Sequence, residues 1–419
     1  MTVMDQTLYE MGQQAKQAAR VIRRLDPKVK DEALHLMAEA FKANYEEILK
    51  ANQKDIEAGR EEGLTEALIE RLSLDEATLD GIHGGLLQVA NLQDPTRLSD
   101  SQFVNEQGLR ISRRRVPLGV IAMIYESRPN VTVDASALCL KAGNAVILRG
   151  GREAMNSNKA IMKALQEGLA KSQVPVAAIQ LITNPSRQVA AQLMTYDDAI
   201  DCLIPRGGAG LIQAVLRQAT VPVIETGEGN GHLYIHQDAE EGMAVRIVMN
   251  AKVQRPSVCN AIETLLVDRA IADRFIPVIV NDLQGVGVEI RGDETVQALA
   301  DNIVPVTTED YATEFLDNVL ALRVVDNYAQ AVDHIEEYST AHSDGIVTNN
   351  YAVSQEFLND VDSAAVYVNA STRFSDGEIF GLGAEIGIST QKLHARGPMG
   401  LEALTSYKYV VEGQGQVRE

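Results

Sequence analysis

The chain has 419 residues, 45% of them apolar, and a formal charge of −20, so it can bury large cores in two or three domains. That charge excludes a nucleic-acid binder, which needs a basic footprint, and no apolar run approaches the roughly 20 residues that span a membrane. Three cysteines far apart in sequence make neither a disulfide framework nor a zinc pattern, so the expected compartment is the reducing cytoplasm and no metal is expected.

The opening segment MTVMDQTLYEMGQQAKQAAR reads as a polar amphipathic helix rather than a signal peptide. Several more helices are predicted through residue 91. Apolar positions step at helical spacing through Ala33, Leu34, Met37, Ala40 and Phe41, and again through Leu64, Leu68 and Leu72. Polar LSDSQFVNEQ then leads to GLRISRRRV, whose alternation predicts a strand with an exposed basic face. It is either a projecting arm that pairs with another subunit or a plain edge strand.

From residue 116 the pattern becomes strand-helix alternation. Strands are predicted at PLGVIAMIYE, NAVILRG, IQLI, IDCLIP and VPVIE, with helices over 131–141, 154–170, SRQVAAQLM and GAGLIQAVLR. Continuous apolar strands between helices signal a parallel α/β sheet covered on both faces. Such sheets bind ligands at the carboxyl ends of their strands. Those ends are residues 126–130, Arg149-Gly150-Gly151, Arg206-Gly207-Gly208 and Glu225-Thr226-Gly227. A second α/β region begins near Gly231, with a helix over 241–253 and strands at ETLLV, GVEIRG, LALRVV, DGIVT and AAVYVNA. A terminal SYKYVV strand is placed to pair with the arm near residues 109–115.

Cys259 is the residue around which the chemistry is organised. It lies in NAKVQRPSVCNAIETLLV, at a joint between a helix and an apolar strand, where Pro256 ends the helix and extends Arg255. A thiol there is held by rigid elements yet can face a cleft, as a nucleophile requires; the bland alternative is a buried, inert cysteine. Polar Ser257 and Asn260, with Arg255 close by, favour the nucleophile, whereas Cys139 and Cys202 sit in apolar runs and fit the inert reading.

The other candidates carry open alternatives. Arg206-Gly207-Gly208 opens a helix and is either a phosphate cradle or a tight turn. Arg149 is a strand-end arginine or a cation for a ribose phosphate. Asn130 is an N-cap or an oxyanion donor. Glu225 is an ion-paired glutamate or a general base. His334 reads as structural, while His342, in a loop before a strand, is the histidine placed to reach a ligand. Arg373 is a solvated loop arginine or a carboxylate receptor, and EIFG offers Glu378 to a ribose and Phe380 to a flat ring.

In order, VPLGVIAMIYESRPN, LKAGNAVILRGG, IPRGGAGLI, IETGEGN, the cysteine joint and EIFGLGAEIGIS resemble the landmarks of the aldehyde dehydrogenase superfamily. AVDHIEEYSTAHSDGI, RPSVCNAIETLLV and HARGPMGLEALTSYKYVV resemble signature blocks of its branch that reduces glutamyl phosphate. The resemblance spans essentially the whole chain. It implies an α/β, aldehyde dehydrogenase-like fold. A parallel-sheet Rossmann-type cofactor domain would occupy 1–98 and 117–230, an α/β catalytic domain 231–392, and a β oligomerisation flap 99–116 and 393–419. It implies NADPH-dependent reduction of L-glutamyl 5-phosphate to L-glutamate 5-semialdehyde through a cysteine thioester, in proline biosynthesis, by a dimer or tetramer. The alternative is an oxidative semialdehyde dehydrogenase in which Glu225 activates water. Residue by residue, Cys259 matches the catalytic cysteine, Asn130 the oxyanion asparagine, Arg149 the ribose-binding lysine, Glu225 the general base, and Glu378 with Phe380 the nicotinamide-ribose pair. Arg206-Gly207-Gly208 stands in place of the family's Gly-Ser phosphate contact. Arg128, Arg255, His342 and Arg373 are the candidates for the glutamyl amino and carboxylate groups.

Overall fold

A computed structural model of the protein describes residues 4–418. By its contacts the chain divides into two compact units, one of residues 4–226, 381–387 and 399–418, the other of residues 227–380 and 388–398. Of the expected flap, residues 99–116 and 399–418 cluster with the first unit and residues 393–398 with the second.

The first unit opens with five helices: α1 (Gln6–Ile22), α2 (Pro27–Ala43), α3 (Tyr45–Glu61), α4 (Glu66–Leu72) and α5 (Glu76–Asn91). The predicted stripe Ala33, Leu34, Met37, Ala40, Phe41 is buried on α2, whose fixed-φ Pro27 begins it. The second stripe is only half right. Thr65 caps α4 by accepting from the Leu68 amide, so Leu64 lies outside the helix and only Leu72 of the three is fully buried.

Next come β1 (Ser99–Val104) and β2 (Arg110–Pro117), antiparallel to each other, with the C-terminal strand Thr405–Glu412 antiparallel on the far side of β2. The predicted pairing of SYKYVV with the arm is therefore made within this chain, with Lys408 opposite Arg114. Strand β1 was not anticipated, because all its residues are exposed and the alternation that marks a half-buried strand is absent.

A four-stranded parallel sheet follows, built of β3 (Val120–Tyr125), α6 (Asn130–Lys141), β4 (Ala145–Gly150), α7 (Met155–Leu169), β5 (Ile179–Leu181), α8 (Arg187–Met194), β6 (Cys202–Arg206) and α9 (Ala209–Gln218). Its strand order is β5-β4-β3-β6. Every residue of β3 is buried, as expected of a strand covered on both faces. The predicted VPVIE strand shrinks to one bridge between Val223 and Leu203. Pro222 has no amide proton to donate and only its carbonyl joins the ladder, to the Leu203 amide.

The second unit alternates β7 (Gly231–Ile235), α10 (Glu241–Val253), β8 (Ile262–Asp268), α11 (Arg269–Gly285), β9 (Glu289–Gly292), α12 (Glu294–Leu299), β10 (Val304–Pro305), α13 (Thr308–Tyr311), β11 (Val319–Val325), α14 (Tyr328–Tyr338), β12 (Ser343–Val347), α15 (Tyr351–Asp360) and β13 (Ala365–Val368). The seven strands form a parallel sheet in the order β10-β9-β11-β8-β7-β12-β13. Successive side chains of β8 feed two cores, Leu265 and Val267 on one face and Leu266 on the other. Among the described residues no helix is long and apolar enough to cross a membrane, and no group of side chains is arranged to hold a metal.

Candidate active site

In the second unit α10 ends at Val253, Pro256 lies in the turn that follows, and β8 starts at Ile262, so Cys259 occupies the predicted joint. It is the one cysteine of the three that is not buried. Burial pushes the Cys202 thiol up to about 12 and the Cys139 thiol higher still, which makes both inert at neutral pH. Arg373 is half-buried within electrostatic range of both Arg255 and Cys259. Burial and then Arg255 lower its pKa, while the opposite charge available on Cys259 raises it. The Arg373 Nε donates to Gln254 Oε1 at 3.1 Å, which ties the arginine back to the cysteine turn.

Asn260 sews that turn to the segment 371–375. Its Nδ2 donates to the Ser375 carbonyl at 2.9 Å, and Thr372 Oγ1 donates to the Asn260 carbonyl at 2.7 Å. Ser375 Oγ in turn meets Ser343 Oγ at 2.8 Å and the Tyr367 hydroxyl at 2.6 Å. His342 enters this network through its Nδ1, 2.9 Å from Ser343 Oγ. It lies in the bend before β12, as expected, and is fully buried. His334 is structural as expected, buried against Tyr311, Tyr338 and His232.

Beneath the turn lies Gly229. A side chain there would overlap the Cys259 carbonyl, and its amide donates to Glu314 Oε1 at 2.8 Å. Glu378 and Phe380 are exposed on a turn organised by Asp376, whose Oδ1 accepts from the amides of Glu378 and Ile379 at 3.0 and 3.2 Å.

In the first unit the strand ends of the parallel sheet carry the remaining candidates. After β3, Ser127 is buried in a left-handed conformation (φ 37°), uncommon for a residue other than glycine. Its amide and its hydroxyl both donate to Glu153 Oε1, at 2.7 and 2.8 Å, which fixes the elbow presenting Arg128 and Asn130. Asn130 is not the N-cap; that position falls to Pro129, and Asn130 is the first helical residue. Its Nδ2 donates to Asp134 Oδ2 one turn on, at 3.1 Å. Burial raises the Asp134 carboxyl to about 6, against the opposing pull of the Asn130 hydrogen bond and of Arg206.

Arg149 is the penultimate residue of β4, and its Nη2 donates to the Pro185 carbonyl at 3.2 Å. Gly150, the last residue of β4, and Gly151 after it are tightly packed, and a side chain there would strike Asn158 and Glu153 respectively. The Gly208 amide at the start of α9 donates to the Glu126 carboxylate at 3.1 Å. Yet Nε of both Arg149 and Arg206 is buried and finds no partner among the described residues. Donors left short of an acceptor beside glycine-lined strand ends fit a ligand rich in phosphate and hydroxyl oxygens, as a dinucleotide is. Glu225 is partly exposed at its predicted place.

The second unit thus gathers Cys259, Arg255, Arg373 and Asn260, while the first gathers Asn130 and Arg206 about Asp134, and Arg149 about Glu153. Sequence reasoning did not single out Gly229, Glu153, Asp134 or Asp376. Only Asp134 carried a legible signal, its i+4 spacing from Asn130.

A model of the aldehyde dehydrogenase family matches residues 5–303. The chain belongs to that family. Two relatives matched along almost their whole length are gamma-glutamyl phosphate reductases. One, from Caldanaerobacter subterraneus, is 54% identical over 97% of this chain and 99% of that protein. The other, from Enterococcus faecalis, is 52% identical over 98% of this chain and 99% of that one. The crystal structure of gamma-glutamyl phosphate reductase from Thermotoga maritima superposes with a TM-score of 0.96 at 46% identity, over 98% of this chain and 100% of the other.

Proposed function

We propose that the chain is a gamma-glutamyl phosphate reductase of proline biosynthesis, reducing L-glutamyl 5-phosphate to L-glutamate 5-semialdehyde and phosphate with NADPH. The observation that carries this reading is the partly exposed Cys259 on a rigid turn beside Arg255 and Arg373. The Cys259 thiolate attacks the acyl carbon; the carbon–sulfur bond forms, the carbon–oxygen bond to phosphate breaks, and phosphate leaves with the electron pair. The role of oxyanion donor goes to the Asn130 amide. Arg255, Arg373 and Arg128 are assigned to the anionic substrate. Reduced nicotinamide, when bound, supplies hydride to the thioester carbon. The thiohemiacetal then collapses, returning the thiolate and releasing the aldehyde.

Cofactor binding is assigned to the first unit through Arg149, Gly150, Gly151 and Arg206, and to Glu378 and Phe380 on the turn of the second. Arg149 is the cation that favours NADPH over NADH. An acyl phosphate is already activated, so Glu225 has no water to deprotonate in this direction and is left without a required step. The exposed three-stranded sheet is assigned to self-association in a cytoplasmic homo-oligomer. The test is the reverse reaction. Semialdehyde with NADP should turn over only when phosphate is added, and Cys259→Ala should abolish turnover. Steady turnover without phosphate would instead favour the oxidative dehydrogenase.

A further inference from the structure

Seven residues before Cys259 and four after it stand two fully buried, oppositely charged side chains. Lys252, in the last turn of α10, reaches Glu263, the second residue of β8, with Nζ 2.6 Å from Oε2, and neither side chain has any exposed surface. Removing both charges from water is expensive, and a buried pair of this kind rarely gains stability over apolar residues of the same volume. Its place in the chain gives it another use. The pair closes the base of the loop that carries the nucleophile, joining the element that enters the loop to the element that leaves it.

Glu263 reaches further. Its other oxygen, Oε1, accepts from the Leu316 amide at 3.1 Å, and Leu316 is held in a left-handed conformation (φ 54°) that a γ-branched residue seldom adopts. Two residues earlier on that segment, Glu314 holds the Gly229 amide, and Gly229 backs directly onto the Cys259 peptide. One carboxylate therefore governs residue 259 by two routes, through the chain on either side and through the 314–229 contact beneath it. Glu314 and Asp317 are the other charged groups that act on the pair.

We infer that Lys252 and Glu263 are a positioning pair for Cys259, setting where the thiol sits rather than adding to the stability of the fold. The inference rests on Cys259 being the nucleophile.

The experiment compares the full-length enzyme with Lys252→Met/Glu263→Leu, Glu263→Gln, Lys252→Met and Lys252→Arg. Thermal melting, kcat, KM and the pH dependence of iodoacetamide labelling of Cys259 are measured for each, with Cys259→Ser as the labelling blank. The double variant should melt at or above the parental temperature, because its buried charges are gone. Its kcat should nevertheless fall by about tenfold or more with KM little changed, as expected when a reacting group is misplaced. Its labelling profile should move as well. Lys252→Arg, which keeps a cation for Glu263, should recover part of the kcat lost in Lys252→Met. A folded double variant with parental kcat and labelling profile overturns the inference. Should the double variant not fold, Glu263→Gln decides: parental kcat and labelling there also overturn it, and a loss in both upholds it. If Cys259→Ser itself remains fully active, the failure lies with the assignment of the nucleophile, while the labelling profiles still report whether the pair positions the thiol.

Discussion

Gly229 lies so close under Cys259 that any side chain at 229 would overlap the Cys259 carbonyl. The obstacle is backbone, which cannot swing aside as the tip of a flexible side chain does. Residue 229 cannot retreat easily either, since its amide is tied to Glu314. Gly229→Ala should therefore push the cysteine turn. A displacement on the order of 1 Å costs roughly 100-fold in rate when reacting groups are misplaced, so kcat should fall by about that factor. Overpacking of this kind costs about 1–3 kcal/mol, which urea denaturation would register. An alanine variant with parental kcat would show that the turn accommodates the methyl group and that Gly229 does not hold it.

The Asn130–Asp134 contact predicts a pH dependence. Burial lifts the folded-state carboxyl to about 6, above the ordinary value for an aspartate. Between about pH 4 and pH 6 the native state therefore holds a proton that the unfolded chain has released, and stability falls as pH rises through that window. Asp134→Asn removes the titrating group. It should flatten this segment of the stability curve and leave the variant relatively more stable at pH 7, by about 1–3 kcal/mol. Urea midpoints at pH 4.5 and 7 read the difference. Asn130→Ala, by contrast, should lose about 100- to 1000-fold in kcat if its amide is the oxyanion donor. A near-parental rate would remove it from the mechanism.

His334 predicts the opposite slope. Burial, then His232 and Arg323, hold its pKa down to about 2, so the native state keeps the ring neutral where the unfolded chain would protonate it. Stability should thus be lost as pH falls below about 6.5, at up to roughly 1.4 kcal/mol per unit. The Arg323 guanidinium lies 2.6 Å from His334 Nδ1, which makes that nitrogen an acceptor. His334→Gln should reduce the acid slope without moving KM, as stopped-flow unfolding at pH 5 and pH 7 would show. An unchanged acid slope would place the dependence on other groups.

These residues also mark what was readable beforehand. The joint at Cys259 was legible because Pro256, a helical period before it and an apolar run after it act locally, and the structure keeps each boundary within a residue or two. The buried strands β3, β4 and β8 were legible for the same reason. What escaped was long-range. Nothing adjacent to Gly229 announces that residue 259 will lie over it, and nothing near Ser127 announces a carboxylate 26 positions away. The polar strand β1 escaped because it is defined by its partner and not by a buried face. The full burial of His342 was not legible from its polar neighbours Ser343 and Asp344, which are themselves buried in β12.

The three-stranded sheet of β1, β2 and the C-terminal strand carries the last prediction. Tyr407, Tyr409 and Val411 are 52%, 61% and 55% exposed, and Phe103 of β1 is 53% exposed. Their partners in register are Arg115, Arg113 and Ile111, with Phe103 also opposite Ile111, so these side chains share one face. Arg113 lies 4.9 Å over the Tyr407 ring, and Arg115 on the same face is ion-paired to Asp100 and Glu402, so the aromatic and aliphatic side chains are interleaved with arginines. Such a patch on a sheet with two unpaired edges is what self-association buries. Tyr409→Glu combined with Val411→Glu places two carboxylates on that surface without touching either buried sheet. Sedimentation velocity should then shift toward the monomer at micromolar concentration, while the thermal unfolding of the buried cores changes little. If the parent protein sediments as a monomer at the same concentration, the sheet is not an assembly surface, and its exposed tyrosines need another explanation.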